Sequence, residues 1–144
     1  MVDFMDAKYH LAVAERMMAG YEEYPEKRFL VGVINEGARA AAKIVLAMTK
    51  YENFQGNRKQ IIDNRMDYFL EVASKCLDSV TIENIVKILE VEKAQKVSPV
   101  EFASGDKLIF LIDGKYRILT ISRIGEFLKS VRDGIDCFSK YRHI

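Results

Sequence analysis

Residues 26–51, EKRFLVGVINEGARAAAKIVLAMTKY, constrain the fold more than any other stretch of the sequence. Their apolar positions recur at three- and four-residue steps, the spacing of one helix face. These positions are Leu30, Val33, Ile34, Gly37, Ala41, Ile44, Val45 and Met48. Because small residues fill the middle of the stretch, other helices can approach it closely. The pattern predicts one long central helix on which the remaining elements pack.

Four further stretches show helical periodicity and predict amphipathic helices. They are residues 3–19, residues 57–77, a helix that Thr81 caps and that ends through EVEKAQKV, and residues 121–141. The loop before the central helix is short, and Pro25 fits just before or at its first turn, so the first two helices are expected to be antiparallel. Residues 98–101, Ser-Pro-Val-Glu, have the form of a capping box, and Gly105 leaves room for about one turn after it.

The hydrophobic period changes between residues 107 and 120. KLIFLI and KYRILT flank Asp113-Gly114, a dipeptide typical of a two-residue type I′ hairpin turn. This turn would pair Ile112 with Lys115 and set the register of every pair beyond. Because strand side chains alternate, one face is apolar and the other is mixed. The apolar face carries Ile109, Leu111, Tyr116 and Ile118, and the mixed face carries Leu108, Phe110, Arg117 and Leu119.

A hairpin of two strands is marginal in water, so we expect its uniformly apolar face to pack on the helices. The other face would then leave Leu108, Phe110 and Leu119 exposed. The chain has 22 Lys and Arg against 21 Asp and Glu, and a net charge of +1 does little to keep copies apart. These three residues are therefore the predicted interface of a homodimer.

Length and composition indicate a single domain over residues 1–144. The predicted elements make it mainly α, with about five helices and the hairpin before the last of them. The near-neutral charge gives no sign of a general nucleic-acid or membrane-surface binder. The N-terminus does not have the pattern of a signal peptide, and no stretch has the ~18 apolar residues of a membrane span. We therefore expect a cytoplasmic protein that does not bind a membrane.

The two cysteines, Cys76 and Cys137, fall on the apolar faces of predicted helices. We expect both to be reduced and buried, as small apolar side chains are in a reducing compartment. The alternative is a disulfide between two packed helices, which the sequence cannot place. His10 and His143 lie at opposite ends of the chain, so no zinc-type cluster is predicted. Without a glycine-rich phosphate loop either, neither metal nor cofactor is expected.

Asn35, Arg39 and Lys43 stand at four-residue steps on the central helix, with Glu36 one position along. Two cations at this spacing repel unless something anionic lies between them. One interpretation is a ligand site for a small anion or phosphate; the other is a salt-bridged face in which Glu36 pairs with Arg39. His10 is expected to be a boundary residue, because the sequence shows no partner or pocket for a general base.

The segment DAKYHLAVAERMMAGYEEYPEKRFLVGVINEGARAAAKIVLAM resembles the opening of a HEPN domain, with the same amphipathic first helix, short loop and second helix rich in small residues. The resemblance covers about residues 3–95 and the last helix, and the hairpin would be an insertion. It implies a compact antiparallel bundle of a mostly prokaryotic family whose members commonly form homodimers.

Many members of that family are ribonucleases that use an arginine followed four to six residues later by a histidine. The corresponding positions here are Asp136, Cys137 and Phe138 before His143, and Asp3, Phe4 and Met5 before His10. Because none is arginine, the resemblance implies a non-catalytic binding or regulatory module. We expect such a module to belong to a toxin–antitoxin system or to another nucleotide- or RNA-related system. Its expected partners are a second copy of itself and either a protein or a nucleic acid. The alternative is a ribonuclease or nucleotide-handling enzyme with a non-standard site on the central helix, around Glu36, Arg39 and Lys43.

Overall fold

The computed structural model of the chain describes residues 2–54, 65–98 and 101–142. It is mainly helical, with a small antiparallel sheet before the last helix, as predicted. In chain order the elements are α1 (Val2–Glu23), α2 (Lys27–Phe54), α3 (Arg65–Ala73), α4 (Ser79–Val97), β1 (Glu101–Ser104), β2 (Lys107–Ile112), β3 (Lys115–Thr120) and α5 (Ile121–Arg142). The first part of the predicted third helix, residues 57–64, lies outside the described residues.

Helix α2 lies at the centre of the bundle, in contact with α1, α3, α4 and α5. Gly37 shows why small residues are needed along it. A Cβ at this position would lie 2.7 Å from Cδ1 of Ile88 on α4 and 2.9 Å from Cδ2 of Leu128 on α5. Both helices thus approach the backbone of α2 at Gly37, as the sequence pattern predicted.

The hairpin has the predicted turn and register. Asp113 and Gly114 have positive φ angles of 49° and 76°, as a type I′ turn requires. The pairs run from Ile112 with Lys115 at the turn to Leu108 with Leu119 near the open end. The Asp113-Gly114 dipeptide and the strand-like pattern on either side of it were therefore sufficient to predict the turn and the register of the hairpin.

A third strand occupies the place of the predicted helical turn after the capping box, of which residues 99 and 100 lie outside the described residues. Glu101 begins β1, which pairs antiparallel with β2, and the sheet has the order β1-β2-β3. Ser98 does not start a helix; it caps the C-terminal end of α4, and its Oγ accepts a 2.8 Å hydrogen bond from the backbone N–H of Leu111. The tertiary contact to β2 thus outweighs the local capping signal.

The expected orientation of the hairpin is wrong. Leu108, Phe110 and Leu119 are buried at 0%, 2% and 8% exposure, whereas Tyr116 and Ile118 are 63% and 61% exposed. These three predicted interface residues therefore belong to the core of the chain. Arg117, which made this face look mixed, is exposed close to the turn. Arg117 lies on the edge strand β3, directly opposite Phe110 on the central strand β2, so its side chain remains in solvent while Phe110 packs into the core.

The expectation of two reduced, buried cysteines is also wrong, because the structure joins Cys76 and Cys137 in a disulfide, with their Cα atoms 6.0 Å apart. Helix α3 ends at Ala73, so Cys76 lies in the exposed turn that follows and not on a helix face. Cys137 is buried on α5, as expected. The structure therefore supports the disulfide that the sequence left as an alternative.

The buried side of the sheet can be tested by comparing Phe110→Ala with Ile118→Thr. Loss of the Phe110 ring from the core should lower the free energy of unfolding by about 3–5 kcal/mol. Ile118→Thr keeps a β-branched residue at an exposed position, so the change should stay within about 0.5 kcal/mol. Urea denaturation of dilute protein measures both values. A larger loss for Ile118→Thr than for Phe110→Ala would mean that the opposite face is buried.

Candidate functional site

The predicted polar stripe of α2 lies beside α1. Asn35, Glu36 and Lys43 are half-buried and Arg39 is exposed. Helices α1 and α2 form an antiparallel pair joined by a short loop, and this brings carboxylates and a histidine of α1 against the stripe. The stripe is therefore one side of a polar seam between the two helices.

Glu36 is the centre of one cluster in this seam. Its Oε2 lies 2.6 Å from Nδ1 of His10, and its Oε1 accepts a 2.9 Å hydrogen bond from Nη1 of Arg39. The Glu36 side chain is only 15% exposed, so the carboxylate is held between two nitrogen donors with little contact to water. The Tyr9 ring stands edge-on to the His10 ring, with centroids 5.3 Å apart. We call His10, Glu36 and Arg39 the histidine cluster.

Lys43 belongs to a second cluster farther along the seam. Its Nζ lies 3.6 Å from Oδ1 of Asp3 and 3.6 Å from Oδ2 of Asp6. Asp3 also accepts a 2.7 Å hydrogen bond from Nζ of Lys50. This hydrogen bond holds the pKa of Asp3 below its ordinary value, the nearby charge of Lys43 acts in the same direction, and partial burial opposes both.

The stripe therefore differs from a free cationic site for an anion or phosphate. Arg39 has Glu36 as partner, and Lys43 has Asp3 and Asp6. Asn35 takes no part in either cluster, and its amide oxygen is buried without a hydrogen-bond partner within the described residues. An incoming anion would have to compete with carboxylates already in place.

Sequence reasoning missed His10 as a member of the site. Its partner Glu36 is 26 positions away, so no local spacing relates the two residues. The only available signal was the antiparallel α1–α2 pairing, which does not by itself fix the register of facing residues. Within residues 2–54, 65–98 and 101–142, no three His, Cys, Asp or Glu side chains are grouped so that they could hold a metal ion.

The outer face of the sheet is a second candidate site, of a different kind. Phe102, Tyr116 and Ile118 are exposed, and Ile109 and Leu111 are half-buried beside them. The register places all five on one face, because Phe102 pairs with Ile109, Ile109 with Ile118, and Leu111 with Tyr116. We call these five residues the outer sheet face. A contiguous apolar surface of this sort is typical of an interaction site.

No protein-family model matches the chain, and no curated protein or solved structure shows significant similarity to it. Among the helices formed by the described residues, none has the length and apolar character needed to cross a membrane.

The Asp3–Lys50 contact predicts a pH-dependent contribution to stability. Because the pKa of Asp3 is lowered in the folded state, its contribution is complete above the ordinary pKa and is lost as pH falls through the lowered one. Wild-type protein should therefore melt at a higher temperature than Asp3→Asn at neutral pH, and the difference should shrink in acid. Thermal melts of both proteins, from neutral pH to below the ordinary aspartate pKa of 3.8, measure this difference in melting temperature.

Glu22→Gln, an exposed change on the same helix, controls for the loss of one negative charge. A wild-type advantage over Asp3→Asn that stays constant through the acidic range would show that the carboxylate charge of Asp3 does not stabilise the fold.

Proposed function

We propose that the chain is a HEPN-like binding or regulatory module that works as a homodimer and does not depend on catalysis. The observation that carries this proposal is the outer sheet face, where five apolar side chains lie together on the solvent side of the sheet. Burial of such a face against another protein surface is favourable, because apolar area is removed from water.

The proposed occupant of this face is a second copy of the chain, with the two outer sheet faces packed around a two-fold axis. Two-fold dimers are the commonest closed assembly, and each copy supplies the same apolar surface. Both ends of the sheet carry charges of both signs, which are exposed: Asp106 and Lys107 at one end, and Asp113 and Lys115 at the other. Because each end of the sheet carries both signs of charge, packing two outer sheet faces together does not bring a cluster of like charges into contact.

The size of the face sets the expected strength of the dimer. The longer strands have six residues each, so the three-stranded sheet presents about 20 Å by 14 Å, or roughly 300 Å² for each copy. Stable interfaces bury about 1,200–2,000 Å² in total. The outer sheet face alone therefore supports a weak dimer that dissociates on dilution in the micromolar range.

A dilution series measured by light scattering tests the dimer. The wild-type mass should lie above the 16.5 kDa of one chain at high concentration and fall toward it on dilution. Ile118→Glu should give the single-chain mass throughout, because a charge would be placed in the apolar contact. Arg117→Glu, exposed on the same strand but on the opposite face, is the matched control and should still associate.

A constant mass of 16.5 kDa for the wild-type protein would refute the homodimer. A dimer that survives Ile118→Glu would place the interface on another surface, and the outer sheet face would lose its assigned role.

The histidine cluster favours a second candidate function, that of a ribonuclease or nucleotide-handling enzyme with a non-standard site. A carboxylate at Nδ1 fixes the ring of His10 and its tautomer, which is how a general base is oriented. Arg39, exposed beside it, could meet a phosphate group. This candidate ranks second because Arg39 is already paired with Glu36.

Incubation with a mixture of RNAs at low salt separates the two functions. The binding module should leave the RNA intact, because its proposed function involves no reacting group. Cleavage that disappears in both His10→Ala and Arg39→Ala, and persists in Arg16→Ala, would establish the second function instead. Arg16 is the matched control, since it is an exposed cation on the same helix as His10.

A further inference from the structure

The disulfide joins two parts of the chain that differ in exposure. Cys76 is exposed in the turn between α3 and α4, whereas Cys137 is buried on α5. Met48, Val72 and Phe138 line a small cavity together with the two cysteines. Cys76 therefore lies at the surface of the bundle, and Cys137 lies toward the core.

A larger cavity of about 430 Å³ opens beside the disulfide, within the range of roughly 300–1,000 Å³ typical of small-molecule sites. Its wall contains Cys76 and Cys137, with Leu77, Thr81, the cations Lys75 and Lys140 and the acids Asp78, Asp133 and Asp136. A thiol the size of a small peptide can therefore reach the disulfide without unfolding of the bundle.

We propose that Cys76–Cys137 is a reversible site of thiol–disulfide exchange, which takes small or protein dithiols at the sulfur of Cys76 and whose opening loosens α3 from the bundle. This inference is independent of the homodimer, because Cys76 and Cys137 lie outside the sheet.

The exchange proceeds in two balanced steps. The thiolate of a dithiol attacks Sγ of Cys76; a bond forms between them, and the Cys76–Cys137 bond breaks with its electron pair on Cys137, which takes a proton. The second thiol of the reductant then displaces Cys76, which also gains a proton. The reductant leaves as a disulfide, and the protein has gained two electrons and two protons. Attack at Cys76 is favoured because Cys137 is shielded from solvent.

Helix α3 is the element that depends most on this cross-link. It has nine residues, it packs chiefly on α2, and the disulfide ties the turn that follows it to α5. The cysteines are 61 positions apart, so the cross-link removes considerable freedom from the unfolded chain. Reduction should therefore lower Tm by about 8–15 °C while the native fold persists at room temperature.

The experiment titrates native protein with mixtures of reduced and oxidised glutathione and with a dithiol, and reads the products by intact mass. We expect a disulfide in the oxidised protein, its complete reduction under native conditions, and a glutathione adduct on Cys76. Hydrogen exchange of the reduced protein should show lost protection in α3 and the turn after it, with α2 and α5 still protected.

Two single-cysteine variants test the difference in exposure. Cys76 in Cys137→Ser should form the glutathione adduct at least about 10-fold faster than Cys137 in Cys76→Ser, because Cys76 is an exposed residue and Cys137 a buried one. If either variant does not fold, the glutathione and dithiol titration of the wild-type protein by itself tests the proposal. A disulfide that resists reduction until the whole chain unfolds, or reduction without any change in α3, would overturn the proposal.

Discussion

The burial of α2 is the constraint on which the rest of the structure depends. Between Val33 and Thr49 only Arg39 is exposed, so this helix packs against other elements around nearly its whole circumference. Gly37 lets α4 and α5 come close on one side. The polar residues that remain are confined to a narrow strip, and α1 covers that strip with Asp3, Asp6 and His10. The charge pairing of the α1–α2 seam thus follows from how completely α2 is enclosed.

Elements encoded by local periodicity could be predicted from the sequence, and contacts between distant residues could not. The helical stripes, the turn at Asp113-Gly114 and the register of the hairpin all depend on neighbouring residues. Strand β1 was missed because Ser98 carries a local helix-capping signal, and its actual partner is the backbone of Leu111 on another strand. Which face of the sheet is buried depends on how the sheet packs against the helices. No local sequence pattern predicts that packing.

The candidate sites show the same division. Arg39 with Glu36 is a contact at three-residue spacing on one helix, and the sequence offered it as an alternative. His10 with Glu36, and Cys76 with Cys137, join residues 26 and 61 positions apart. Such pairs become visible only when the packing of helices is known. His10 with Glu36 adds chemistry that the sequence did not indicate, a histidine oriented by a carboxylate. Cys76 with Cys137 is the disulfide that the sequence left as an alternative without being able to place it.

The junction between the sheet and the last helix contains no connecting residue, because β3 ends at Thr120 and α5 begins at Ile121. The hydroxyl of Thr120 accepts a hydrogen bond from the N–H of Arg123, and the N–H of Ile121 donates to the carbonyl oxygen of Asp106. The strand and the helix are thus joined without a flexible linker. We therefore expect a displacement of the outer sheet face to be passed on to α5, and through it to the centre of the bundle.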